Sequence, residues 1–355
     1  MFDVAVIGAG MAGLVCAQQL HQAGYKVVVV EKSRGLGGRV ATRRLYDTCA
    51  DHGACYLKPK GELLERFVQI LCDRGILHVW TDIYKYSSAQ LQPVASACYV
   101  APKGMSAIAK FLSSGLEIYL NQRVEAITLV EAHGLPLHWT LHTNNDSTLT
   151  RSELTAKAVV FAIPAPQAFT LLQPLANIPA FLEQLRSVEF DPCFSVIAGY
   201  SEKLHQRPNW NAITFVDQCD LRWIGLDSSK RLSVDLSLVF VLQSSADFAR
   251  RHLEAELQPI GQQMLACASE YLLLPPNQPE WMQVHRWRYA FPRSPLKATY
   301  LAAQTPLPLV CCGDWCGGDR IEGAMNSGIA AAEQINCQMY ARSLPRDNFL
   351  NKFRQ

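Results

Sequence analysis

Short runs of apolar residues alternate with amphipathic stretches at the start of the chain. Residues 3–7 (DVAVI) and 26–30 (KVVVV) are two such runs, and residues 11–23 between them carry apolar side chains at helical spacing. Gly24 is placed to end that helix. Strands rich in β-branched residues on either side of a crossover helix are typical of a parallel sheet covered on both faces. The pattern therefore predicts a βαβ unit.

The hydrophobic pattern changes in character near residue 189. Successive strands without helices between them are expected after this point, which predicts an antiparallel sheet and hence an α/β fold with a second, antiparallel-sheet domain. Before residue 189 the expected helices are at 63–75 and within 102–112, and the expected strands are at 117–120, 124–130, 137–142 and 158–162. After it we expect strands at 193–200, 212–216, 221–226, 232–242 and 282–289, a long helix at 246–273, and a strand–loop–helix at 309–340 whose helix covers 324–335.

The composition favours a folded protein that acts on a small molecule. With 355 residues, of which 49% are hydrophobic, the chain can bury a large core and divide into two domains. Its net charge of +2 is spread without long runs of one sign, which argues against nucleic acid or an anionic membrane as a partner. The twelve cysteines show neither CxxC spacing nor a zinc-type array, so we expect reduced thiols and no metal. The lack of a leader peptide and of an apolar run of about 18 residues predicts a soluble, cytoplasmic protein.

Three glycines lie between the first predicted strand and the first helix. Gly8, Gly10 and Gly13 have the GxGxxG spacing. The first glycine permits a tight turn, the second lets the backbone approach a pyrophosphate at the helix N-terminus, and the third lets helix and strand pack closely. Glu31 ends the second strand, where its carboxylate can accept hydrogen bonds from an adenosine ribose. This combination predicts a dinucleotide site, for either NAD or FAD.

A second glycine-rich loop, GLGGRVATRR at residues 35–44, follows Glu31 too closely to form an independent domain. We therefore expect it to lie against the ligand bound by the first loop. NAD usually has its second half held by a second mononucleotide-binding unit, whereas FAD must extend outward along the protein. The loop therefore favours FAD, with Arg39 donating to the pyrophosphate. We interpret Arg43 and Arg44 as surface or supporting side chains.

A third glycine-rich segment lies near the C-terminus. An apolar strand leads to Gly313 and Asp314, and Gly323 and Ala324 open the last helix. Asp314 can accept hydrogen bonds from the ribityl hydroxyls of FAD. The N-terminus of the helix would supply N–H groups and positive potential to the N1/C2=O edge of the flavin.

Together these segments resemble the amine-oxidase-type FAD-dependent superfamily, and within it the renalase family with its bacterial and plant members. The resemblance extends through nearly the whole chain. Its superfamily motifs are the two glycine loops with Glu31, residues 123–127 (RVEAI), residues 162–164 (AIP) and the ending from Gly313 to Ala324. Its renalase-like motifs are residues 38–43 (GRVATR), 50–54 (ADHGA), 101–105 (APKGM), 221–223 (LRW), 226–231 (LDSSKR) and 287–288 (WR).

The resemblance implies a para-hydroxybenzoate-hydroxylase-like architecture and a reaction. A discontinuous Rossmann-type FAD-binding domain would comprise residues 1–62, 100–175 and 300–345, and a substrate domain residues 63–99 and 176–299. The implied reaction is hydride transfer from 2- or 6-dihydro isomers of NAD(P)H to non-covalent FAD, with O2 reoxidising the flavin to give hydrogen peroxide and NAD(P)+. Because hydride loss from a dihydropyridine yields an aromatic pyridinium, no general base is expected, and proximity and orientation should dominate.

The resemblance also assigns residues to the cofactor and the reacting centre. By it, residues 51–56 run beside the isoalloxazine, and many relatives have Gln where this chain has Cys55, whose thiol cannot replace the donors and acceptor of an amide. The predicted FAD-binding residues are Gly8, Ala9, Gly10, Met11, Ala12, Gly13, Glu31, Lys32, Gly38, Arg39, Gly53, Ala54, Cys55, Val124, Asp314, Gly323 and Ala324. The candidates near the flavin are His52, Cys55, Tyr56, Trp223 and Trp287, of which the tryptophans could wall a planar substrate. His52 is open to an acid/base or a structural role, and Cys55 to a reactive or an apolar one.

Two other interpretations stay open. One is an amine oxidase or desaturase on the same scaffold, although no cysteine lies in a motif for covalent flavin attachment. The other, of a different class, is a flavin-free binding or escort protein, against which Glu31, Arg39 and Asp314 together count. A disulfide reductase is disfavoured because the sequence has neither CxxC nor a second GxGxxG.

Overall fold

The protein has two compact units. A computed structural model describes residues 1–46, 48–131, 137–145, 147–175, 177–201, 207–217, 219–232, 238–272, 279–318, 320–344 and 346–353. The first unit comprises Met1–Gly38, Ala109–Glu189 and Pro292–Gln355, and the second comprises Arg39–Ile108 and Phe190–Phe291. These boundaries differ from the predicted domain boundaries, because residues 39–62 and 100–108 cluster with the second unit and residues 176–189 and 292–299 with the first.

Strands and helices are mixed along the whole chain. The elements before residue 162 are β1 (Phe2–Ile7), α1 (Met11–Gln22), β2 (Val27–Val30), β3 (Thr42–Leu45), β4 (Thr48–Asp51), α2 (Glu62–Asp73), β5 (His78–Trp80), β6 (Ile83–Ser87), β7 (Gln90–Pro93), β8 (Cys98–Val100), α3 (Ser106–Leu112), β9 (Glu117–Tyr119), β10 (Gln122–Val130), β11 (His138–Asn145) and β12 (Thr150–Phe161). The later elements are α4 (Ala165–Leu172), α5 (Pro179–Arg186), β13 (Phe190–Tyr200), β14 (Ala212–Phe215), β15 (Leu221–Leu226), β16 (Leu238–Ser244), α6 (Ala246–Arg251), α7 (Leu257–Leu272), β17 (Trp281–Pro292), β18 (Leu301–Ala302), β19 (Leu309–Cys311) and α8 (Arg320–Met339), with 3-10 helices at Asp227–Lys230 and Arg346–Phe353.

The sheet of the first unit has a parallel core and an antiparallel flank. β1 pairs in parallel with β2 and β12, β2 with β9, and β12 with β19. The strand order is β10-β11-β12-β1-β2-β9, with β10, β11 and β12 antiparallel and β18 antiparallel beside β19. Helix α8 packs closely on α1, since a Cβ at Gly328 would lie 2.3 Å from the Ala12 carbonyl oxygen. The predicted βαβ unit and Rossmann-type fold class are confirmed.

Strand β12 is much longer than the strand predicted at 158–162. It begins at Thr150, and its first half pairs antiparallel with β11 while its second half pairs in parallel with β1. The first half is polar and exposed, and the buried part starts at Ala156. An apolar run therefore revealed only the half that lies in the core.

The second unit contains a largely antiparallel sheet of order β17-β13-β16-β15-β14-β6-β7. The pair β14–β6 is parallel, and the pairs β13–β16, β15–β16, β14–β15 and β6–β7 are antiparallel. One face of the sheet is buried against α6 and α7 through a cluster that includes Phe194, Phe240, Phe248 and Met264. The sequence predicted this sheet but not β6 and β7, the last two strands at one end of it. Of the strand predicted at 232–242, residues 233–237 lie outside the described residues and β16 begins at Leu238.

The prediction of a single long helix at 246–273 was wrong. Two helices occupy this region, α6 and α7, and Pro259 stands in the first turn of α7. In one continuous helix Pro259 would lack the N–H to reach the carbonyl of Ala255, and its ring would clash with that carbonyl. The guanidinium of Arg286 on β17 donates to the Ala255 carbonyl instead.

All twelve cysteines are free thiols. In the part of the chain that the structure describes, no helix combines the length and the apolar character needed to cross a bilayer.

Four charged side chains, which we call the buried ion network, lie together in the second unit. Asp51, Asp227, Lys230 and Arg231 are each at most 6% exposed. Lys230 Nζ lies 3.1 Å from Asp51 Oδ2 and 2.5 Å from Asp227 Oδ1, and Arg231 Nη2 contacts one oxygen of each carboxylate. Burial acts to raise the pKa of Asp227, but Lys230 and Arg231 more than offset it and hold the pKa below its usual range.

The buried ion network also connects separate stretches of backbone. Thr42 Oγ1 and the Met105 backbone N–H donate to Asp51 Oδ1 at 2.6 and 2.8 Å. Arg231 donates to the Ala101 carbonyl at 3.0 Å. These bonds tie β3, β4 and the loop before α3 to the 3-10 helix at Asp227–Lys230, which is why the segment around β3 and β4 belongs to the second unit.

We expect Lys230→Met to lower the free energy of unfolding by about 3–5 kcal/mol, because it leaves two buried carboxylates facing one cation. Arg186→Met is the control, since Arg186 forms an exposed pair with Glu183 and its loss should cost no more than about 1 kcal/mol. Denaturant unfolding of the purified variants measures both. Similar losses for the two variants would contradict the importance of the network.

Candidate active site

The first glycine loop needs two of its three glycines for its own packing. Gly8 has a φ of 104°, and a Cβ there would lie 2.6 Å from the Ala162 carbonyl oxygen. A Cβ at Gly13 would lie 2.0 Å from the Gly8 carbonyl oxygen. Gly10 is different, because its φ of −78° suits any residue and, apart from its neighbours in the chain, no atom of the described residues lies within 4 Å of a Cβ built there. The space over Gly10 is therefore left open in front of the N-terminus of α1.

Glu31 is held beside this loop. Its Oε2 accepts from the backbone N–H of Ala9 at 2.8 Å, and its Oε1 accepts from the backbone N–H of Ser33 at 2.8 Å. Each carboxylate oxygen has capacity for a second hydrogen bond, so Glu31 can support the loop and still accept from a ribose hydroxyl. Lys32 next to it is exposed, and Met11 and Ala12 are buried in the first turn of α1.

The second glycine loop lies directly on the first, as its closeness in sequence predicts. The backbone N–H of Gly37 donates to the Ala9 carbonyl at 2.9 Å, and Gly37 forms a parallel bridge with Gly10. Gly38 has a φ of 55°, and a Cβ there would lie 3.5 Å from the Gly10 Cα. The two loops thus make one glycine-lined surface.

The C-terminal segment differs from its prediction at the start of the helix. Helix α8 begins at Arg320 rather than at Ala324, so Gly323 lies in its first turn and Ala324 is buried behind it. A Cβ at Gly323 would lie 2.8 Å from the backbone of Gly318, so the preceding loop folds back onto this turn. The first-turn N–H groups that face away from the helix therefore include those of residues 321–323. Asp314 is buried just after β19.

Val124, the remaining cofactor candidate of the first unit, lies on β10. Its side chain is buried, and the pairing of β10 with β11 is irregular between Val124 and Ala126.

In the second unit, residues 51–56 form what we call the candidate flavin segment. Three side chains hold the backbone at its start. The carbonyls of residues 51, 52 and 53 accept in turn from Cys55 Sγ at 3.2 Å, Trp287 Nε1 at 2.9 Å and Gln243 Nε2 at 2.7 Å. Gln243 Nε2 also lies 3.6 Å from Cys55 Sγ. An amide side chain is therefore present beside the thiol, supplied by β16.

Arg39 is fixed to the same segment. Its carbonyl accepts from the Ala54 N–H at 2.8 Å, and a Cβ at Gly53 would lie 2.1 Å from that carbonyl oxygen. Its guanidinium donates to the Ala290 carbonyl of β17 at 3.0 Å. The sequence predicts that Arg39 donates to a pyrophosphate. At least one of its donors instead bonds to the backbone of β17 in the second unit.

The titratable candidates of this segment are held neutral. Burial, followed by the nearby His285 and Arg43, lowers the pKa of His52 to about 3. Burial raises the pKa of the Cys55 thiol to about 12. Neither side chain takes up or gives up a proton readily near pH 7.

The aromatic candidates differ in exposure. Trp223 is buried between Tyr56 and Trp80, with ring centroids 5.2 and 6.0 Å away. Trp287 is half-buried and stacks on His52 at 5.3 Å, with His285 edge-on at 4.3 Å. Of the two tryptophans, Trp287 therefore has the more accessible ring face.

Sequence reasoning missed Gln243 and His285. Gln243 is the penultimate residue of an apolar strand, where a single polar residue gives no pattern that would predict a role. His285 shares a face of β17 with Gln283 and Trp287, so the alternation of side chains along this strand was the available signal.

Two family profiles match the chain. A profile described as NAD(P)-binding Rossmann-like domain matches residues 6–71. A profile described as flavin containing amine oxidoreductase matches residues 79–336, which is well over half of the chain. This protein belongs to the flavin-containing amine oxidoreductase family. Its cofactor is FAD. The open space over Gly10 fits this cofactor, because neither backbone conformation nor protein packing requires a glycine there and a bound dinucleotide does.

Similar curated proteins match a short part of this family member. L-amino acid oxidase Cdc18 of Crotalus durissus cumanensis is 41% identical over 66 residues, which are 19% of this chain and 13% of that protein. "Putative flavin-containing monoamine oxidase AofH" of Mycobacterium tuberculosis is 42% identical over 57 residues, 16% of this chain and 13% of that protein. The matches thus span about an eighth of the length of these relatives.

Similar solved structures cover nearly the whole chain. "Putative protoporphyrinogen oxidase from Exiguobacterium sp. 255-15" superposes with a TM-score of 0.70 at 14% identity, covering 95% of this chain and 99% of that one. Putrescine oxidase bound to putrescine superposes with a TM-score of 0.69 at 15% identity and the same coverage. At these identities the likeness shows a shared fold.

Gly10→Ala and Gly13→Ala should separate FAD binding from folding. We expect Gly13→Ala to destabilise the protein by about 1–3 kcal/mol, because its Cβ would overlap the Gly8 carbonyl. Gly10→Ala should cost less than about 1 kcal/mol yet lower the FAD content, because its Cβ fills the open space. Thermal unfolding of the FAD-depleted variants measures the change in stability. The ratio of flavin absorbance to protein absorbance of each variant as purified measures its FAD content. Full FAD retention by Gly10→Ala would contradict the assignment.

The stability of the protein should fall as the pH decreases from about 6.5 towards 4. The unfolded chain takes up a proton on His52 near its ordinary pKa of about 6.5, whereas the folded protein holds this pKa at about 3 and stays neutral. We expect His52→Asn to flatten the pH dependence of the free energy of unfolding in this range. Denaturant titrations at several pH values measure the slope, and an unchanged slope would count against a buried neutral imidazole.

Proposed function

We propose that this family member is a renalase-type oxidase that takes a hydride from 2- or 6-dihydro isomers of NAD(P)H. The overall reaction is dihydro-NAD(P) plus O2 and a proton, giving NAD(P)+ and hydrogen peroxide. Bound FAD would supply the hydride acceptor and pass two electrons to O2. The cytoplasmic location expected from the sequence stays a prediction.

The main support for this proposal is that two titratable side chains of the candidate flavin segment, His52 and Cys55, are neutral. Burial holds His52 and Cys55 in their neutral forms, with pKa values of about 3 and 12. Hydride loss from a dihydropyridine requires no base, so such a segment suits the reaction. What the reaction requires is a rigid surface, and the three side chains that hold the carbonyls of residues 51–53 provide one.

In this proposal each structural unit has its own binding role. The first unit would hold the ADP half of FAD through Gly10, Glu31 and Gly38. The second unit would hold the substrate, with the half-buried face of Trp287 packing against a planar ring.

Amine oxidation is the second candidate, because the family and the names of several relatives refer to amine or amino-acid oxidation. It requires the same cofactor and a different substrate, so the two candidates differ in which compound reduces the flavin.

Anaerobic mixing of the FAD-loaded protein with each substrate class distinguishes these functions. We expect the 2- and 6-dihydro isomers of NAD(P)H to bleach the flavin absorbance rapidly. Ordinary 4-dihydro-NADH should act much more slowly, because its hydride is on a different ring carbon and proximity governs the rate. Bleaching by simple amines or amino acids alone would overturn the renalase-type proposal in favour of amine oxidation.

A further inference from the structure

Arg43 has an environment unlike that of a solvated arginine. It lies on β3 opposite Ala50, is half-buried, and points to the other face of the hairpin from its exposed neighbour Arg44. Its Nη1 donates to Gln283 Oε1 at 3.4 Å, which is a long hydrogen bond. The sequence interpretation of Arg43 as a surface or supporting residue therefore misses its position against β17.

Arg43 also lacks an anionic partner. Within the described residues no carboxylate oxygen lies within 4.0 Å of its guanidinium. Many other arginines of this unit do pair with carboxylates; they are Arg231, Arg250, Arg251, Arg286 and Arg288. A half-buried guanidinium with five donors and one long hydrogen bond has most of its binding capacity unused.

Two imidazoles lie near enough to this cation for its charge to act on them, and an indole contacts both imidazoles. His52 and His285 meet edge to face at 5.0 Å, and Trp287 contacts both rings. The pKa of His285 is lowered to about 4 by burial and then by Arg43, and the same guanidinium also lowers the pKa of His52. The carboxylate of Asp227 acts on His52 in the opposite direction, but Lys230 and Arg231 already neutralise it. Arg43 thus gives this cluster a positive charge that no carboxylate of the described residues pairs with directly.

We propose that Arg43, with His285 and His52 beside it, binds an anionic group of the substrate and so selects phosphate-bearing dinucleotides over cationic amines. This inference rests on the proposed function and names the residue that sets its specificity. A guanidinium matches two oxygens of a phosphate or carboxylate, and the imidazoles can donate to the same anion once it raises their affinity for protons. An ammonium group at the same place would be repelled.

Substrates with and without phosphate test the proposal on the FAD-loaded protein. In Arg43→Gln we expect the KM for the 6-dihydro isomer of NADH to rise about 10- to 100-fold, the usual effect of losing a charge-assisted hydrogen bond, with little change in kcat. The KM for the 6-dihydro isomer of nicotinamide riboside, which has no phosphate, should stay unchanged. Arg44→Gln makes the same charge change on the exposed face and is the matched control. An unchanged KM for the dinucleotide, or an equal rise for both substrates, would overturn the proposal.

A binding measurement keeps the test independent of turnover. Inorganic pyrophosphate is titrated into the FAD-loaded wild type, Arg43→Gln and Arg44→Gln, with calorimetry for the Kd and NMR of labelled histidines for protonation. We expect binding to raise the pKa of His285 in wild type and Arg44→Gln, and Arg43→Gln to bind at least about tenfold more weakly. Equal affinity in the two variants, or no binding to wild type, would overturn the inference. Failure of the proposed function itself is distinguishable, because then no dihydropyridine isomer bleaches the wild-type flavin.

Discussion

The pairing of two buried carboxylates with two buried cations is the constraint on which the second unit depends. Asp51 and Asp227 can be ionised inside the protein only because Lys230 and Arg231 face them, and each ion alone would be costly to bury. The same Asp51 begins the segment that continues through His52 to Cys55. The ion pairs of Asp51 therefore hold the first residue of the candidate flavin segment, and hydrogen bonds from Trp287 and Gln243 hold the residues that follow.

The sequence predicted those parts of the site that are encoded locally. The glycines of the first loop, Glu31 and the second loop lie within 40 residues of one another, so spacing alone indicates how they meet. The buried ion network joins residues about 180 positions apart, and no local pattern indicates such a pairing. For the same reason no local pattern indicates that Gln243 lies beside Cys55, where the resemblance leads one to expect a glutamine.

The strands and helices that were mispredicted have physical causes of the same kind. β6 and β7 are the last two strands at one end of their sheet, and both of their faces carry partly exposed side chains, so they lack an apolar run. The break between α6 and α7 is indicated by Pro259, but helical periodicity on both sides of it suggested continuity. The start of α8 was placed one turn late because Gly323 lets the first turn of the helix pack against the loop at Gly318 and does not mark where the helix begins.

The two-sided pairing of β12 has a consequence for how the first unit assembles. Its first half closes a meander with β10 and β11 from residues near in sequence, whereas its second half pairs with β1, where Phe2 meets Ala156. Contacts between near residues lose less chain entropy on closing than contacts between distant ones, so the meander is expected to form early. The N-terminal strand would then add to an edge that already exists. During synthesis on the ribosome, the glycine loop that follows β1 would therefore reach its final conformation only after residue 161 has been added to the chain.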